Sequence, residues 1–161
     1  MRGQYVDPIK IAAVIENIPN GKILFREKDE DMSMEECTKE LANWCLEAVR
    51  NDDSRIAVYE YQGIKKIAIV KKGAQSLRDI FNSILKDVAP QINPNVLKEY
   101  LFENCVLSKT SEVGKKQVHL PHRVKKEFEL DSSRAYELNF SEDVMKVLHD
   151  TFEKKQRKEI N

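Results

Sequence analysis

The histidines of the segment His119-Leu120-Pro121-His122 have a spacing that is compatible with metal binding. A zinc site needs three or four ligands, and only Cys105 and distant carboxylates remain to complete it. A nucleophilic pair of Cys105 and His119 would need a third group to orient the imidazole, and the sequence names none. We therefore predict no metal site and no catalytic residue. We place His119 on the exposed face of a strand and His122 in the first turn of a helix.

The other cysteines and the N-terminal carboxylates also lack the further residues that a metal site or a catalytic site would need. Cys37 and Cys45 fall in the apolar stripe of a predicted helix, and free cysteine is among the most buried residue types, so we predict core packing. The acidic run Glu27–Asp31 could chelate magnesium, but it lacks the ordered carboxylates and lysine of nuclease folds, which favours a solvated loop. Neither GxxxxGKS/T nor GxGxxG occurs, so no cofactor is predicted.

Cationic side chains gather in the C-terminal part of the chain. From Lys109 to Arg134 there are 7 basic and 4 acidic residues, a net charge of +3, whereas from Arg26 to Glu60 there are 5 basic and 11 acidic residues, a net charge of −6. Such asymmetry indicates an anionic partner, although two solvated faces of one domain would give the same pattern. The total is neutral, with 27 residues of each sign, so bulk charge favours neither nucleic acid nor membrane.

Length and composition are those of a globular protein. The 161 residues are 41% hydrophobic and 34% charged, and they can bury a core without disulfides. No apolar run approaches the roughly 18 residues that span a bilayer, and the N-terminus lacks the apolar core of a signal peptide. Three widely spaced cysteines fit a reducing compartment. We predict a soluble cytoplasmic protein without membrane contact.

Capping residues and apolar periodicity predict four to five amphipathic helices. A capping box at Ser33 and Glu36 opens the first, and the charged tail after the last is expected to fray from Glu153. The helices are expected to begin at Ser33, Ser76, Asn93, Pro121 and Ser141.

Runs rich in β-branched and aromatic residues predict the strands between these helices. A hairpin is expected within the first 26 residues and a second one around Gln62-Gly63, with further strands at 105–107, 118–120 and 136–140. The order favours an α+β fold with a mixed, mostly antiparallel sheet. We expect an α+β domain over 1–108 and a small basic subdomain over 109–161, or one continuous domain.

Residues 113–140, which we call the basic segment, combine a clear pattern of secondary structure with most of the C-terminal positive charge. Val118 and Leu120 give a strand an apolar face, Pro121 ends that strand, and Val124 and Phe128 anchor a short helix. An Asp-Ser-Ser turn then leads into the closing strand. The segment therefore reads as strand, proline, basic helix, turn and strand.

In this order the basic segment resembles the AbrB-like swapped-hairpin family of DNA-binding proteins. The lead-in Val113-Gly114-Lys115-Lys116, the strand ending in Pro121, the helix around Val124 and the strand closing at Phe140 carry the resemblance, which covers about a quarter of the chain. It implies two interlocked chains whose basic residues contact DNA. By resemblance the contacting residues are Lys115, Lys116, Arg123, Lys125 and Lys126.

Three functions remain open from the sequence. The first is a non-enzymatic regulatory or accessory protein that binds duplex DNA through the basic segment, as a homodimer. The second is a protein-binding adaptor or inhibitor, whose acidic surface at Glu27–Asp31 and the first capped helix engages a basic protein partner. The third is an enzyme with a site assembled from scattered residues. The charge gradient and the resemblance favour the first.

Overall fold

The computed structural model describes residues 33–110 and 116–160, the last two of these by their backbone only. The predicted N-terminal hairpin, the acidic run Glu27–Asp31 and residues 113–115 of the basic segment lie outside the described residues. The chain divides into two compact units, Met1–Cys37 and Thr38–Asn161. Of the first unit, the described part is 33–37, which forms the cap and the first residues of a helix.

Within the described residues there are five helices and four strands, and the strands form one antiparallel sheet in the order β1-β2-β4-β3. This confirms the predicted α+β class with its antiparallel sheet. The elements are α1 (Met34–Arg50), β1 (Ile56–Tyr61), β2 (Ile64–Val70), α2 (Leu77–Val88), α3 (Pro94–Glu103), β3 (Val118–His119), α4 (His122–Glu127), β4 (Arg134–Leu138) and α5 (Glu142–Ile160).

Side-chain caps begin the helices where the sequence predicts them. The Glu36 amide donates to the Ser33 hydroxyl at 3.0 Å, and the Ser33 amide donates to the Glu36 carboxylate at 3.0 Å, so the capping box of α1 is complete. Ser76 accepts from the Asp79 amide at 3.1 Å and Asn93 accepts from the Asn95 amide at 2.8 Å. Each cap satisfies a backbone donor that the helix itself cannot.

The β1–β2 hairpin turns through Gln62 and Gly63, which both have positive φ, 53° and 80°. A two-residue turn of type I′ requires this backbone at both central positions. Glycine adopts it without strain, whereas a glutamine there costs free energy because its Cβ approaches the following carbonyl.

Replacing Gln62 with asparagine is therefore expected to raise the free energy of unfolding by about 0.5–1 kcal/mol, since asparagine tolerates the left-handed region. Urea denaturation measures the change. Gly63→Ala is the matched control: its Cβ meets no atom within 4 Å, so its expected loss reports backbone strain alone. An unchanged midpoint for both variants would contradict this account of the turn.

Helices pack on both faces of the sheet. The Phe81 ring of α2 stacks on Tyr136 of β4 with centroids 4.5 Å apart. The neighbouring residue, Ala135, lies in the cluster that contains Val124 of α4. Because successive residues of a strand point to opposite faces, α2 and α4 lie on opposite sides of the sheet.

The sheet contains strands from both predicted parts of the chain. β4 lies between β2 and β3, with Ile67 opposite Leu138 and Val70 opposite Ala135. The predicted strand at 105–107 is reduced to a single bridge between Leu107 and Leu138. The predicted boundary at 108/109 thus falls between two stretches of chain that contribute to the same sheet.

The last helix is longer than its sequence suggests. The charged tail predicts fraying from Glu153, but α5 continues to Ile160. The Lys155 ammonium donates to the Arg50 carbonyl at 2.5 Å and pairs with Asp52 at 2.7 Å. A cation at the C-terminus of α1 satisfies an orphan carbonyl and opposes the negative end of the helix dipole, so Lys155 links α5 to the end of α1.

His149 of α5 is expected to make the stability of this fold depend on pH. The imidazole is 3% exposed and its Nε2 lies 2.9 Å from the Lys66 carbonyl. Burial lowers the pKa of His149, and this outweighs the Lys66 carbonyl, which acts in the opposite direction, while Lys65, Glu60 and Glu153 act more weakly.

Because the unfolded chain binds a proton at His149 more readily than the folded chain, this contribution to stability is complete above the unfolded pKa of about 6.5. It is lost as the pH falls from there through the lower pKa of the folded state. Urea midpoints from pH 7.5 down to 5 are expected to decrease, and the decrease is expected to be smaller in His149→Gln. A pH profile identical in the two proteins would contradict the assignment.

Candidate nucleic-acid interface

The basic helix α4 is fixed to the sheet by its apolar side. Val124 is fully buried, and Leu120 and Leu130 before and after the helix are 5% and 7% exposed. They pack on a sheet surface in which Ala57 is paired with Ala68, and Tyr59 and Val70 belong to the same cluster. Pro121 at φ −57° ends β3 and sets the start of α4. The predicted strand–proline–helix–strand order is therefore confirmed.

Arg123 points from α4 toward the edge strand β1. Its guanidinium donates to the Glu60 carbonyl at 2.6 Å and lies 3.5 Å from the Glu127 carboxylate. The outer groups of an edge strand are unpaired, and a cation that covers one of them blocks pairing with another chain. Arg123 thus has a structural role, although its side chain is still 60% exposed.

Lys116 lies on the other side of the sheet. Its ammonium pairs with Glu99 of α3 at 2.9 Å and lies 5.2 Å from the Phe102 ring centre. Phe102 in turn packs near Tyr136, on the face opposite α4. Lys115 lies outside the described residues.

Lys125 and Lys126 remain available on α4. Lys126 is exposed and Lys125 is half-buried, and within residues 33–110 and 116–158 neither has a recorded ion pair. Among the described residues that the resemblance implies as DNA contacts, Arg123 and Lys116 are bound to other parts of the protein. Lys125 and Lys126 are not. The predicted set does not form a single surface.

The fold brings other cations to α4 instead. The Gly73 amide donates to the Asp131 carboxylate at 2.6 Å, and Lys72 lies 4.0 Å from Glu129, so the loop after β2 adjoins the turn after α4. β2 and β3 both run antiparallel to β4, so both strands end at the end of the sheet where β4 begins with Arg134. We call this end of the sheet, together with the adjoining helix α4, the basic end of the sheet. Its cations are Lys71, Lys72, Lys125, Lys126 and Arg134.

The DNA-contacting residues implied by the resemblance do not include Lys71, Lys72 or Arg134. The strand register and the Gly73–Asp131 contact bring the loop after β2 and the start of β4 to the end of the sheet next to the turn after α4. Arg134 precedes Ala135, which faces α4, so its side chain starts on the opposite face. Two carboxylates moderate the charge: Asp131 is held by the Gly73 amide, and Glu129 is 83% exposed.

His119, His122, Cys37 and Cys45 occupy the positions that the sequence predicts. His119 is exposed on β3, with its Nδ1 3.1 Å from the Ser133 hydroxyl, and His122 is exposed in the first turn of α4. Cys37 and Cys45 are fully buried, which confirms core packing, and burial raises the pKa of the Cys45 thiol. Cys105 is exposed. Among the described residues, no three His, Cys, Asp or Glu side chains come together as metal ligands.

Tyr59 and Tyr61 of β1 differ in their exposure to solvent. Tyr59 is 6% exposed, whereas Tyr61 is 41% exposed. The Tyr59 hydroxyl donates to Glu137 at 3.3 Å, and burial, followed by this carboxylate, raises the pKa of Tyr59. Glu137 also accepts from Ser108 at 2.7 Å and from Lys66 at 3.4 Å, so this carboxylate organises a polar cluster within the fold.

No protein-family model matches the chain, and comparisons with curated proteins and with solved structures found no match. Among the described helices, none combines the length and the apolar character needed to cross a membrane. The case for a function therefore rests on the surface chemistry of the chain itself.

Proposed function

We propose that the protein binds duplex DNA through the basic end of the sheet, as a non-enzymatic regulatory or accessory protein. The observation that carries the proposal is the pair Lys125 and Lys126, for which no ion pair is recorded within the described residues, on a helix that buried Val124 holds against the sheet. Lys71 and Lys72 in the loop after β2 extend this surface, and Arg134 lies at the same end of the sheet. A rigid base beneath flexible cationic side chains suits contact with a regular array of phosphates.

The dimensions favour backbone contact over base reading. α4 has 6 residues, so it is about 9 Å long. Duplex DNA carries one charge per about 1.7 Å of axis, so α4 spans only a few phosphates. Contacts to phosphates position a protein on the duplex but carry no sequence information directly. We infer binding with little sequence preference from this surface alone.

The salt dependence of binding tests the proposal. With about 0.9 counterions released for each phosphate contact, five cations give a slope of roughly −4 to −5 in log affinity against log salt, a loss of two to three orders of magnitude between about 50 and 200 mM. Fluorescence anisotropy with a labelled duplex measures this slope. The absence of binding at the lower salt concentration would overturn the proposal.

A homodimer is the second part of the proposal, and it rests on the resemblance of the basic segment to the swapped-hairpin family. Two chains would present two basic ends to one duplex, and contacts from both would add to the salt dependence. Sedimentation equilibrium of the full chain, with and without duplex, distinguishes one chain from two. A monomer under both conditions would contradict the proposed homodimer but not the proposed DNA-binding surface.

A further inference from the structure

An open cleft lies between the β1–β2 hairpin and the first turns of α5. One wall is the start of β2, and the other wall is the connection from β4 to α5 together with the beginning of that helix. The cleft has a volume of about 1030 Å³. This volume is at the upper end of the range of ligand pockets, so the cleft can hold a short stretch of peptide.

The cleft adjoins a part of β2 that is paired on one side only. β2 pairs with β1 from Ile64 onward, but it pairs with β4 only from Ile67 onward. The Val70 amide donates to the Arg55 carbonyl at 2.9 Å, so alternate residues counted back from Val70 direct their amides and carbonyls toward β1. Lys65 is not one of these, and its backbone groups point to the side where β4 has already ended. An edge of this kind can accept an extended segment of another chain.

Apolar side chains are exposed on both walls of the cleft. Ile64 lines it from β2 and is 58% exposed. Val147 is 51% exposed and lies one turn of α5 after Asp143, which lines the opposite wall. Phe140 and Met145 add half-buried apolar surface to the same wall. Because burying such surface is favourable, the cleft suits a ligand that carries apolar groups.

The charges of the cleft favour a cationic ligand. Glu142 and Asp143 line it from the first turn of α5, both are exposed, and within the described residues no ion pair is recorded for either. The cations of the cleft are already engaged, since Lys65 pairs with Glu60 at 3.4 Å and Lys146 pairs with a carboxylate one turn further along α5 at 2.9 Å. Two carboxylates thus remain for the basic side chains of a partner.

We propose that this cleft binds an extended segment of a protein partner that carries both apolar and basic residues. The segment adds as a strand beside Lys65, its apolar side chains cover Ile64 and Val147, and its basic side chains pair with Glu142 and Asp143. The cleft lies at the end of the sheet where β2 begins and β4 ends, whereas the basic end is where β2 ends and β4 begins. The proposal is therefore independent of the proposed DNA interface.

A titration of the full chain with a model peptide tests the proposal in the absence of nucleic acid. The probe is a short acetylated and amidated peptide of alternating valine and lysine, and backbone amides are followed by NMR. Saturable shifts are expected at Gly63, Lys65 and Asn139, which line the cleft. A peptide of equal length with glutamate in place of lysine is expected to bind about tenfold more weakly or less, because like charges then face each other.

Two changes separate strand addition from charge attraction. N-methylation of the central residue of the valine–lysine peptide removes one backbone donor and is expected to weaken binding about fivefold. Ile64→Thr keeps a β-branched side chain in the strand but removes apolar surface, and it is expected to weaken binding about tenfold. Val96→Thr is the matched control, since Val96 is 53% exposed on α3, and it is expected to leave binding unchanged. The peptide changes act on the unaltered protein and therefore do not depend on the folding of a variant.

Shifts confined to the cleft that weaken with N-methylation and with Ile64→Thr support the proposal. Equal binding of the lysine and glutamate peptides, equal binding of the N-methylated peptide, or no saturable shift in the cleft would overturn it. Sedimentation that shows a dimer in wild type and a monomer in Ile64→Thr would place a second copy in the cleft and would also overturn it. The variant with charge-reversed Lys125 and Lys126 is expected to bind the peptide as wild type does, so this proposal and the DNA proposal fail separately.

Discussion

Reversing the charge of both Lys125 and Lys126 is expected to weaken duplex binding by at least two orders of magnitude at low salt. Each lysine that contacts a phosphate makes a charge-assisted hydrogen bond worth about 1.5–3 kcal/mol, and a carboxylate in its place adds repulsion. Removing two contacts is also expected to reduce the slope of log affinity against log salt by about 2. Anisotropy titrations with one duplex at several salt concentrations measure both quantities.

A matched control separates a local interface from bulk charge. Lys39 of α1 and Lys86 of α2 are exposed, and reversing both makes the same change in net charge as the α4 double variant. We expect at most a small loss of affinity in this control. Equal losses in the two double variants would show that binding responds to total charge and has no centre at α4.

Arg123 is a poor choice for the same experiment. Its guanidinium donates to the Glu60 carbonyl at the edge of the sheet, so its removal would expose an edge strand as well as remove a charge. Lys116 is the informative single variant, because it is paired with Glu99 on the opposite side of the sheet. Lys116→Gln is expected to leave duplex affinity within about twofold of wild type, which is the scale of a remote surface charge.

The helices of this protein could be predicted because their signals are local. Ser33 and Glu36 form the expected reciprocal cap, and Ser76 accepts from the third residue beyond it. The hairpin turn at Gln62-Gly63 was likewise predicted from the turn residues and the flanking β-rich runs. Each of these features involves residues within a few positions of one another, so its physics is contained in a short stretch of sequence.

The arrangement of the candidate site could not be predicted, because it depends on contacts between distant residues. Whether Lys116 faces α4 or α3 is decided by Glu99 and Phe102, and the position of Arg123 is decided by Glu60. The place of β4 between β2 and β3 follows from strand pairing, which periodicity does not specify. The sequence pattern thus identified a cationic helix correctly and could not assign its cationic neighbours.

Replacing Phe81 with alanine is expected to lower the free energy of unfolding by about 3–5 kcal/mol, the largest stability change expected of the variants considered. The side chain is fully buried, and its ring stacks on Tyr136 at 4.5 Å, so the substitution removes both apolar burial and an aromatic pair. The resulting cavity would lie between α2 and the sheet. Urea denaturation followed by far-UV circular dichroism measures the change.

Phe81→Leu separates the two contributions of this ring. Leucine fills most of the volume but cannot stack, so the expected loss is the aromatic pair, about 0.5–1.5 kcal/mol, together with a smaller packing defect. If alanine and leucine reduce stability equally, stacking on Tyr136 dominates and the volume of the side chain matters little. If alanine costs less than about 1 kcal/mol, α2 does not cover this face of the sheet.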